Sequence, residues 1–180
     1  MNQKFNIRKE TPKDYAWVVE LTEKAFETME FSDHNEGKLV ENLRKSESFI
    51  RDLSLVAELN GKVVGHILFT PLRIENNQRH FDSLTLAPVS VLPEFQNQGI
   101  GSQLILAGHE RAKELGFKSV IVFGHPKYYP RFGYIPASSY GIKSPIPLPS
   151  DDVFMTLELV DGSLSGVSGT VVFPPEFGII

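Results

Sequence analysis

The sequence predicts an α/β domain in which strands and amphipathic helices alternate. Two local signals favour this class. The Asn60-Gly61 pair between two apolar runs is typical of a type I′ β-hairpin. An apolar strand over 84–91 leads into an amphipathic helix that ends at Gly116. A chain of 180 residues buries about 70% of its unfolded surface, and no repeat divides it, so we expect a single domain over residues 1–180.

The first half of the chain predicts one strand, two helices and the hairpin. Thr11, Pro12 and Asp14 indicate a helix start, with Thr11 as N-cap and Pro12 at the first helical position. The predicted inward face of this helix comprises Val18, Val19, Leu21, Thr22, Ala25, Phe26 and Met29. The other predicted elements are a strand over 5–9, a polar loop over 30–36, a helix over 38–46 and hairpin strands over 53–59 and 62–69.

The second half of the chain predicts short strands around one central helix. A turn over 75–78 precedes a strand over 81–91, and the central helix follows the glycines at 99 and 101. The remaining predicted elements are a short helix near Tyr128, strands over 119–123, from Tyr134 onward, over 153–160 and over 170–173, and a Gly/Ser-rich loop over 162–169.

The turn between strand 81–91 and the central helix predicts a site for an anion. Gly99 and Gly101 allow the backbone to approach a ligand closely. The unpaired N–H groups at the start of the helix, together with the positive end of its dipole, attract negative charge. The segment lacks the Gly-Lys-Ser/Thr of a P-loop and the third glycine of a dinucleotide fingerprint. A pyrophosphate would fit this turn, but the turn is neither a P-loop nor a dinucleotide-binding loop.

Two blocks of the sequence are similar to motifs of the GCN5-related N-acetyltransferase (GNAT) family. Gln96, Gly99 and Gly101 match every fixed position of its Q/R-x-x-G-x-G/A motif, which binds the pyrophosphate of acetyl-coenzyme A (acetyl-CoA). Downstream, Tyr129 stands four residues before Gly133, as a tyrosine does in the closing motif of the family. The full block, GHPxYYPRFG followed by an aromatic residue, resembles one bacterial subgroup of predicted N-acetyltransferases.

This resemblance covers residues 5–136 and implies a mixed, mostly antiparallel sheet flanked by helices. Pro88 removes a hydrogen-bond donor from its strand, and the resemblance implies that the sheet is splayed near residues 88–91, where the pantetheine arm of acetyl-CoA bonds the strand. The C-terminal extension, residues 141–180, lies outside the common core, and shaping of the acceptor site or a homodimer contact is predicted for it. The residues implied to bind acetyl-CoA are Val89, Ser90, Val91, Gln96, Asn97, Gln98, Gly99, Ile100, Gly101 and Ser102.

The resemblance also implies the reaction, which is transfer of an acetyl group from acetyl-CoA to an amine. Direct attack in a ternary complex is predicted because the chain has no cysteine to carry an acyl intermediate. Tyr129 is the implied general acid for the departing thiolate, a backbone N–H near Val91 would polarise the carbonyl, and Tyr128 is expected to pack inward. Two alternatives stay open: a non-catalytic acyl-CoA-binding regulatory module, and an acyltransferase with another acyl donor or a hydroxyl acceptor.

The general base is less clearly indicated. Some family members carry a glutamate on the strand that leads to the pyrophosphate site, but residues 86–89 include no carboxylate. His66, in the middle of a predicted strand, is the candidate, since histidine accepts a proton near neutral pH. The alternative is that His66 is a hydrogen-bonded structural histidine, and a structural role is also expected for His125.

Candidate acceptor-binding residues lie at the end of the first helix and in the loop after it. Glu27, Glu30, Asp33 and His34 occupy the segment that lines the acceptor side in the family, and their carboxylates suit a protonated amine. The alternative is a solvated acidic loop with no function. The sequence does not distinguish a small-molecule amine from a protein amine.

Composition excludes several other classes of function. With 18 Lys+Arg against 22 Asp+Glu and no long basic run, no nucleic-acid partner is expected. The absence of cysteine excludes disulfides and thiolate metal sites, and no metal site is predicted. No stretch approaches the ~20 apolar residues that cross a bilayer, so no membrane partner is expected and a cytoplasmic location is predicted.

Overall fold

A computed structural model describes residues 4–179 of the chain. They divide into two compact units: unit 1 comprises residues 4–70 with Ala87–Arg111, and unit 2 comprises Pro71–Leu86 with residues 112–179. Two long strands contribute one part to each unit. The single N-acetyltransferase domain over residues 1–180 stays a prediction.

Unit 1 contains two complete α-helices, most of a third, and the strands at one end of the sheet order. Its strands follow the order β1-β2-β3-β4, and β2 runs antiparallel to both β1 and β3. Within residues 4–179, no helix combines the length and the apolar character that crossing a bilayer demands. The elements are β1 (Asn6–Lys9), α1 (Tyr15–Phe26), α2 (Glu36–Arg44), β2 (Ser54–Leu59), the first part of β3 (Lys62–Glu75), the last part of β4 (His80–Val91) and most of α3 (Ile100–Glu114).

Unit 2 continues the strand order as β4-β5-β8-β6, and β9 pairs with β3 and β7. The β3–β9, β5–β8 and β6–β8 pairs are antiparallel, whereas β4–β5 and β7–β9 are parallel. The predicted mixed, mostly antiparallel sheet with helices is thereby confirmed. β4 pairs with β5 at Leu84 and Thr85, and the predicted splay near residues 88–91 stays a prediction. The strands of unit 2 are β5 (Ser119–Phe123), β6 (Ile135–Pro136), β7 (Ile142–Lys143), β8 (Phe154–Glu158) and β9 (Gly169–Val172).

Local signals with a steric origin are confirmed in both units. Asn60 and Gly61 join β2 to β3 with φ of 51° and 78°, the pair of positive values that a type I′ turn requires. The Asn76 side chain accepts the N–H groups of Gln78 and Arg79 in the predicted turn before β4. Gly116, two residues after the end of α3, has φ of 89°, and the next N–H, that of Phe117, bonds the carbonyl of Ala112 and closes the helix end.

The predicted start of the first helix is wrong. α1 begins at Tyr15, because the Asp14 carboxylate accepts the N–H and the hydroxyl of Thr11, at 2.8 and 3.0 Å, and pairs with Arg8 at 2.8 Å. Thr11 therefore belongs to a turn that ties β1 to α1. The predicted inward face is confirmed at its fully buried positions, which are Val18, Leu21, Thr22 and Ala25.

The C-terminal extension supplies much of the hydrophobic core of unit 2. Phe123 of β5 packs against the rings of Phe154 and Phe173, with ring centroids 4.7 and 5.7 Å apart. Each such buried side chain contributes about 1.5–3 kcal/mol relative to leaving it exposed. The extension is thus part of the core of this unit. The core residues that it donates are Ile142, Phe154, Leu164, Val167, Val171 and Phe173.

Candidate active site

The turn before α3 forms an open cradle in unit 1. After β4 the chain makes a single 3-10 turn over Pro93–Phe95, and the Gln96 side chain donates to the carbonyl of Val91 at 3.0 Å. Gly99 then adopts φ of 83°, which favours glycine, and a β-carbon built on it would meet nothing within 4 Å. The space beside Gly99 is therefore open to a ligand.

The start of α3 presents backbone donors at this cradle. The Gln103 N–H bonds the carbonyl of Gly99 at 3.0 Å and is the first helical hydrogen bond. The N–H groups of Ile100, Gly101 and Ser102 precede this bond, so the helix offers them no carbonyl acceptor. Three such groups at the positive end of a helix dipole suit the oxygens of a pyrophosphate.

Close packing against β3 and β4 fixes the position of the helix start. A β-carbon at Gly65 of β3 would lie 3.1 Å from side-chain atoms of Ile100 and Leu104 and 3.2 Å from the carbonyl oxygen of Ser90. Ser90 is buried, and its hydroxyl lies 3.5 Å from that of Thr22 on α1. Any contact of Ser90 with acetyl-CoA would thus be made by its backbone, as is expected for a strand that bonds a pantetheine arm.

Tyr129 lies in unit 2, in the 3-10 turn Tyr129–Phe132 that follows β5. Its side chain is buried, with the rings of Tyr128 and Tyr134 edge-on at centroid distances of 5.1 and 5.6 Å. Tyr128 is only half-buried and carries the Arg131 guanidinium 4.6 Å from its ring centroid. Tyr128 was expected to pack inward, but of the two neighbouring rings it is Tyr129 that is buried, and Tyr128 stays partly exposed.

Burial determines the ionisation of the Tyr129 phenol. Loss of solvation raises the pKa of Tyr129 well above its ordinary value of 10, with a smaller contribution from Tyr128. The phenol is protonated at neutral pH, as it is at its ordinary pKa, and the higher pKa by itself makes it a weaker proton donor. The same surroundings would raise the pKa of a thiol released beside it.

His125 shapes the turn that carries Tyr129. Its ring Nδ1 accepts the backbone N–H of Lys127 at 3.1 Å, and its carbonyl accepts the N–H of Tyr128 at 3.0 Å. These bonds fold the chain directly before the 3-10 turn, in agreement with the structural role expected of His125.

His66 lies on β3 in a buried polar cluster of unit 1. Its Nε2 is 2.9 Å from the Ser54 hydroxyl, which in turn donates to the Glu10 carboxylate at 2.7 Å. Arg44 pairs with the other oxygen of that carboxylate and donates to the carbonyl of Tyr15 at 3.1 Å. Among residues 4–179, the His66 Nδ1 and the Arg44 Nε are buried atoms without a hydrogen-bond partner.

The surroundings of His66 suit a structural residue better than a base. The side chain is fully buried, and loss of solvation, followed by the positive charge of Arg44, lowers its pKa from 6.5 to about 3. A group with this pKa is neutral at pH 7 and is a poor acceptor for the proton of an amine. The geometry thus favours the alternative of a hydrogen-bonded structural histidine.

A pH-dependent stability follows from the buried imidazole. Between pH 6.5 and 3 the unfolded chain binds a proton at His66 that the folded chain excludes, so the free energy of unfolding should fall as the pH falls. The expected loss is roughly 1.4 kcal/mol per pH unit below 6.5. The pKa of Asp14, lowered to about 2 chiefly by its hydrogen bonds with Arg8, matters only below its ordinary 3.8. Asp52 and Glu158 also have lowered pKa values and contribute near pH 4, so urea unfolding is compared between about pH 6.5 and 5.5. His66→Gln should show a smaller slope there, and equal slopes would contradict the assignment.

The candidate acceptor residues lie together in the exposed segment between α1 and α2. Glu27, Glu30, Asp33 and His34 are all exposed. Asp33 also braces this loop, because its carboxylate accepts the N–H of Asn35, at 3.0 Å, just before α2. The segment therefore concentrates negative charge in unit 1.

Two apolar residues of this segment, Met29 and Phe31, are exposed, which the sequence did not predict. Met29, predicted to be buried, lies beyond the last residue of α1 and is 44% exposed, whereas Phe31 projects fully into solvent. Met29 is exposed because the alternation of buried and exposed positions ends with the helix. For Phe31, a polar stretch of sequence does not show whether a phenylalanine within it is buried or points into solvent. The loop thus offers an aromatic ring next to its carboxylates.

Comparison with known proteins gives an independent test of the family resemblance. The sequence profile of the acetyltransferase (GNAT) family matches residues 9–134. The uncharacterized N-acetyltransferase YjhQ of Escherichia coli K12 is 40% identical over 126 residues, which cover 69% of this chain and 70% of the relative. The uncharacterized N-acetyltransferase YhbS of the same strain is 30% identical over 172 residues, 95% and 97% of the two chains.

Solved structures agree over nearly the whole chain. The crystal structure of the GNAT family N-acetyltransferase YhbS from Escherichia coli in complex with CoA has a TM-score of 0.85 at 28% identity and covers 98% of this chain and 93% of its own. A GNAT family acetyltransferase from Brucella melitensis in complex with acetyl-CoA has a TM-score of 0.79 at 32% identity, with coverage of 97% and 99%. The profile match and these relatives confirm the predicted resemblance: the chain belongs to the GNAT family of acetyltransferases.

Proposed function

We propose that the chain transfers the acetyl group of acetyl-CoA to the nitrogen of an amine. The observation that carries this proposal is the open cradle at the start of α3, where three backbone N–H groups precede the first helical bond. The family membership and the relatives solved with CoA or acetyl-CoA support the same donor. The proposed contacts are the N–H groups over 96–102 for the pyrophosphate and the backbone over 89–91 for the pantetheine arm.

The proposed reaction is direct aminolysis of the thioester. The neutral amine attacks the carbonyl carbon of the acetyl group, so a C–N bond forms while the C–S bond breaks. The nitrogen loses one proton and the sulfur gains one, and the products are an N-acetylated acceptor and CoA with a free thiol. Because the chain has no cysteine, no thiol of the enzyme can carry the acetyl group between the two substrates.

Tyr129 is the proposed donor of the proton that the sulfur gains. The phenol is protonated at neutral pH, and the burial that raises its pKa would also raise the pKa of a thiol released beside it, so the two groups stay matched for proton transfer. The resulting phenolate recovers its proton from solvent. His66 is proposed to position β2 and β3 through Ser54 and Glu10. An acceptor that arrives as an ammonium gives one proton to water before it attacks, and its nitrogen gives a second proton to water once the C–N bond has formed.

The acceptor is proposed to be a cation that presents an apolar group beside its amine. Glu27, Glu30 and Asp33 attract a protonated amine over a range of about 8–10 Å at physiological salt, and Phe31 offers an aromatic face for cation–π contact. Cytoplasmic location and a homodimer remain predictions.

A thiol-release assay tests the proposed function. The protein with acetyl-CoA should release free thiol only when an amine is added, and mass spectrometry should find the acceptor 42 Da heavier, the mass of an acetyl group less one hydrogen. The panel should include aromatic amines, aliphatic polyamines, peptide N-termini and alcohols, with longer acyl-CoA donors in parallel. Tight acetyl-CoA binding with no release of the CoA thiol in the presence of any amine would favour the non-catalytic module. Thiol release that is faster with alcohols than with amines would favour a hydroxyl acceptor.

The acceptor loop is tested in the same assay with a charge-neutral variant. Glu27→Gln with Glu30→Gln should raise the KM for a cationic acceptor about tenfold at low salt, and leave the KM for acetyl-CoA unchanged, because long-range attraction is lost. Asp33 is kept because it braces the loop. The matched control is Glu41→Gln with Glu47→Gln. It also removes two negative charges, one within α2 and one just after it. Equal KM changes in both pairs would contradict a role of the loop in acceptor binding.

A further inference from the structure

The ring of Tyr129 lies directly against the backbone of Gly124. A β-carbon built on Gly124 would lie 2.1 Å from Cε2, 2.5 Å from Cδ2 and 3.1 Å from Cζ of Tyr129, and these are its three nearest heavy atoms. Carbon atoms in ordinary contact are about 3.5–4.0 Å apart. The ring therefore occupies the volume that any side chain at position 124 would need.

The backbone conformation does not explain the glycine. The φ of Gly124 lies outside the left-handed region. Gly133, which ends the 3-10 turn that carries Tyr129, differs in this respect, because its φ of 96° favours glycine. Gly124 is also held in place, because its N–H bonds the carbonyl of Val153 at 2.9 Å beside the β5–β8 pair. Only the ring can yield to a larger residue here.

The other sides of the ring leave it little freedom. Tyr128 and Tyr134 meet it edge-on, and Tyr134 is itself 1% exposed. A β-carbon at position 124 would thus push the Tyr129 ring by about 1 Å or more, out of the place that the backbone and the two neighbouring rings define. A displacement of this size costs about 10²-fold in rate where a reacting group is held in a fixed geometry.

We propose that Gly124 is a positioning residue for the transfer reaction, and that its missing side chain fixes where the Tyr129 hydroxyl meets the departing sulfur. The inference rests on the proposed role of Tyr129 as the proton donor. Gly124 itself touches neither substrate in this proposal and acts only through the tyrosine.

Gly124→Ala tests the proposal through kcat and KM. We expect kcat to fall 10-fold to 100-fold with the KM for acetyl-CoA changed less than threefold, because the acid moves while the cradle in unit 1 is untouched. In the Tyr129→Phe background the same substitution should lower kcat no further, since no hydroxyl is left to misplace. An equal loss in both backgrounds would overturn the proposal, even where Tyr129→Phe alone confirms the acid.

Gly108→Ala is the matched control. A β-carbon at Gly108 would lie 2.1 Å from the ring of Phe69, so it creates the same overlap with a different aromatic residue, in unit 1. Any loss of kcat in Gly108→Ala should add to that of Tyr129→Phe, because it reflects general destabilisation.

A spectroscopic readout separates this inference from the proposed function. In protein labelled with ¹³C at tyrosine Cζ, the NMR signal of Tyr129 is identified by its absence from Tyr129→Phe. In Gly124→Ala this signal should titrate closer to pH 10, because the displaced ring becomes more exposed to solvent. An unchanged titration with unchanged kcat would overturn the positioning role, whatever the acid proves to be. If Gly124→Ala does not fold but Tyr129→Ala does, the double variant should fold, and its failure to fold would equally exclude the ring as the partner of Gly124.

Discussion

Tyr129→Phe should lower kcat by roughly 10²-fold to 10⁴-fold, the range for loss of a general acid, while the affinity for acetyl-CoA stays nearly unchanged. The substitution keeps the buried ring between Gly124, Tyr128 and Tyr134 and removes only the hydroxyl. Because the proton is needed only as the C–S bond breaks, the loss should appear in kcat and not in binding. Single-turnover thiol release with a good acceptor measures it under conditions where chemistry limits the rate.

Tyr128→Phe is the matched control for this prediction. It removes a phenol hydroxyl from the half-buried ring of the preceding residue, and kcat should stay within about threefold of the wild type, because no role in the reaction is proposed for this hydroxyl. Wild-type turnover of Tyr129→Phe would show that Tyr129 only packs, and that water or another group protonates the sulfur.

Motifs governed by the backbone could be predicted from the sequence. Gly99 needs its φ of 83° whatever surrounds it, and Asn60 with Gly61 needs two positive values for a two-residue hairpin. Such constraints act within a few residues, so they are visible in a short stretch of sequence. The turn before α3 and the β2–β3 hairpin were accordingly predictable.

Properties that depend on distant parts of the chain were not predictable. The sequence gives no sign that the pKa of mid-strand His66 is unusual. The residues around it are distant in the chain: Arg44 lies on α2, Ser54 on β2 and Glu10 directly after β1. The spacing to Gly133 identified Tyr129, yet its burial depends on Gly124 and Tyr134, which only the folded chain brings to its ring.

The C-terminal extension shows the same limit. Its strands β8 and β9 were expected over 153–160, from alternation, and over 170–173. In the structure β8 is shorter, Phe154–Glu158, and β9 is shifted by one residue, Gly169–Val172. That these strands complete the core of unit 2 could not be inferred, because their partners β5 and β3 lie far away in the sequence. Partner choice between distant strands is a property of tertiary packing and not of local pattern.

Gly101→Val should weaken acetyl-CoA binding at least tenfold, about 1.4 kcal/mol. Gly101 is the second residue of α3, and its N–H is one of the three that precede the first helical bond. A branched side chain at this position would stand between the helix start and a pyrophosphate that must approach the backbone within hydrogen-bond distance. Isothermal calorimetry with acetyl-CoA measures the change, and a smaller loss is expected for Gly101→Ala.

The control for Gly101→Val must separate this obstruction from any general effect of valine in the helix, where valine is at most about 0.7 kcal/mol and glycine about 1 kcal/mol less favourable than alanine. Leu106→Val places valine in the same helix at a position that is 53% exposed, about a turn and a half beyond the helix start, so it should bind acetyl-CoA as the wild type does. If folded Gly101→Val and Leu106→Val bind equally well, the pyrophosphate does not lie at the start of α3. A loss confined to Gly101→Val, and graded from alanine to valine, assigns the binding energy to the backbone donors, because the segment over 96–102 contributes no charged side chain to neutralise the phosphates.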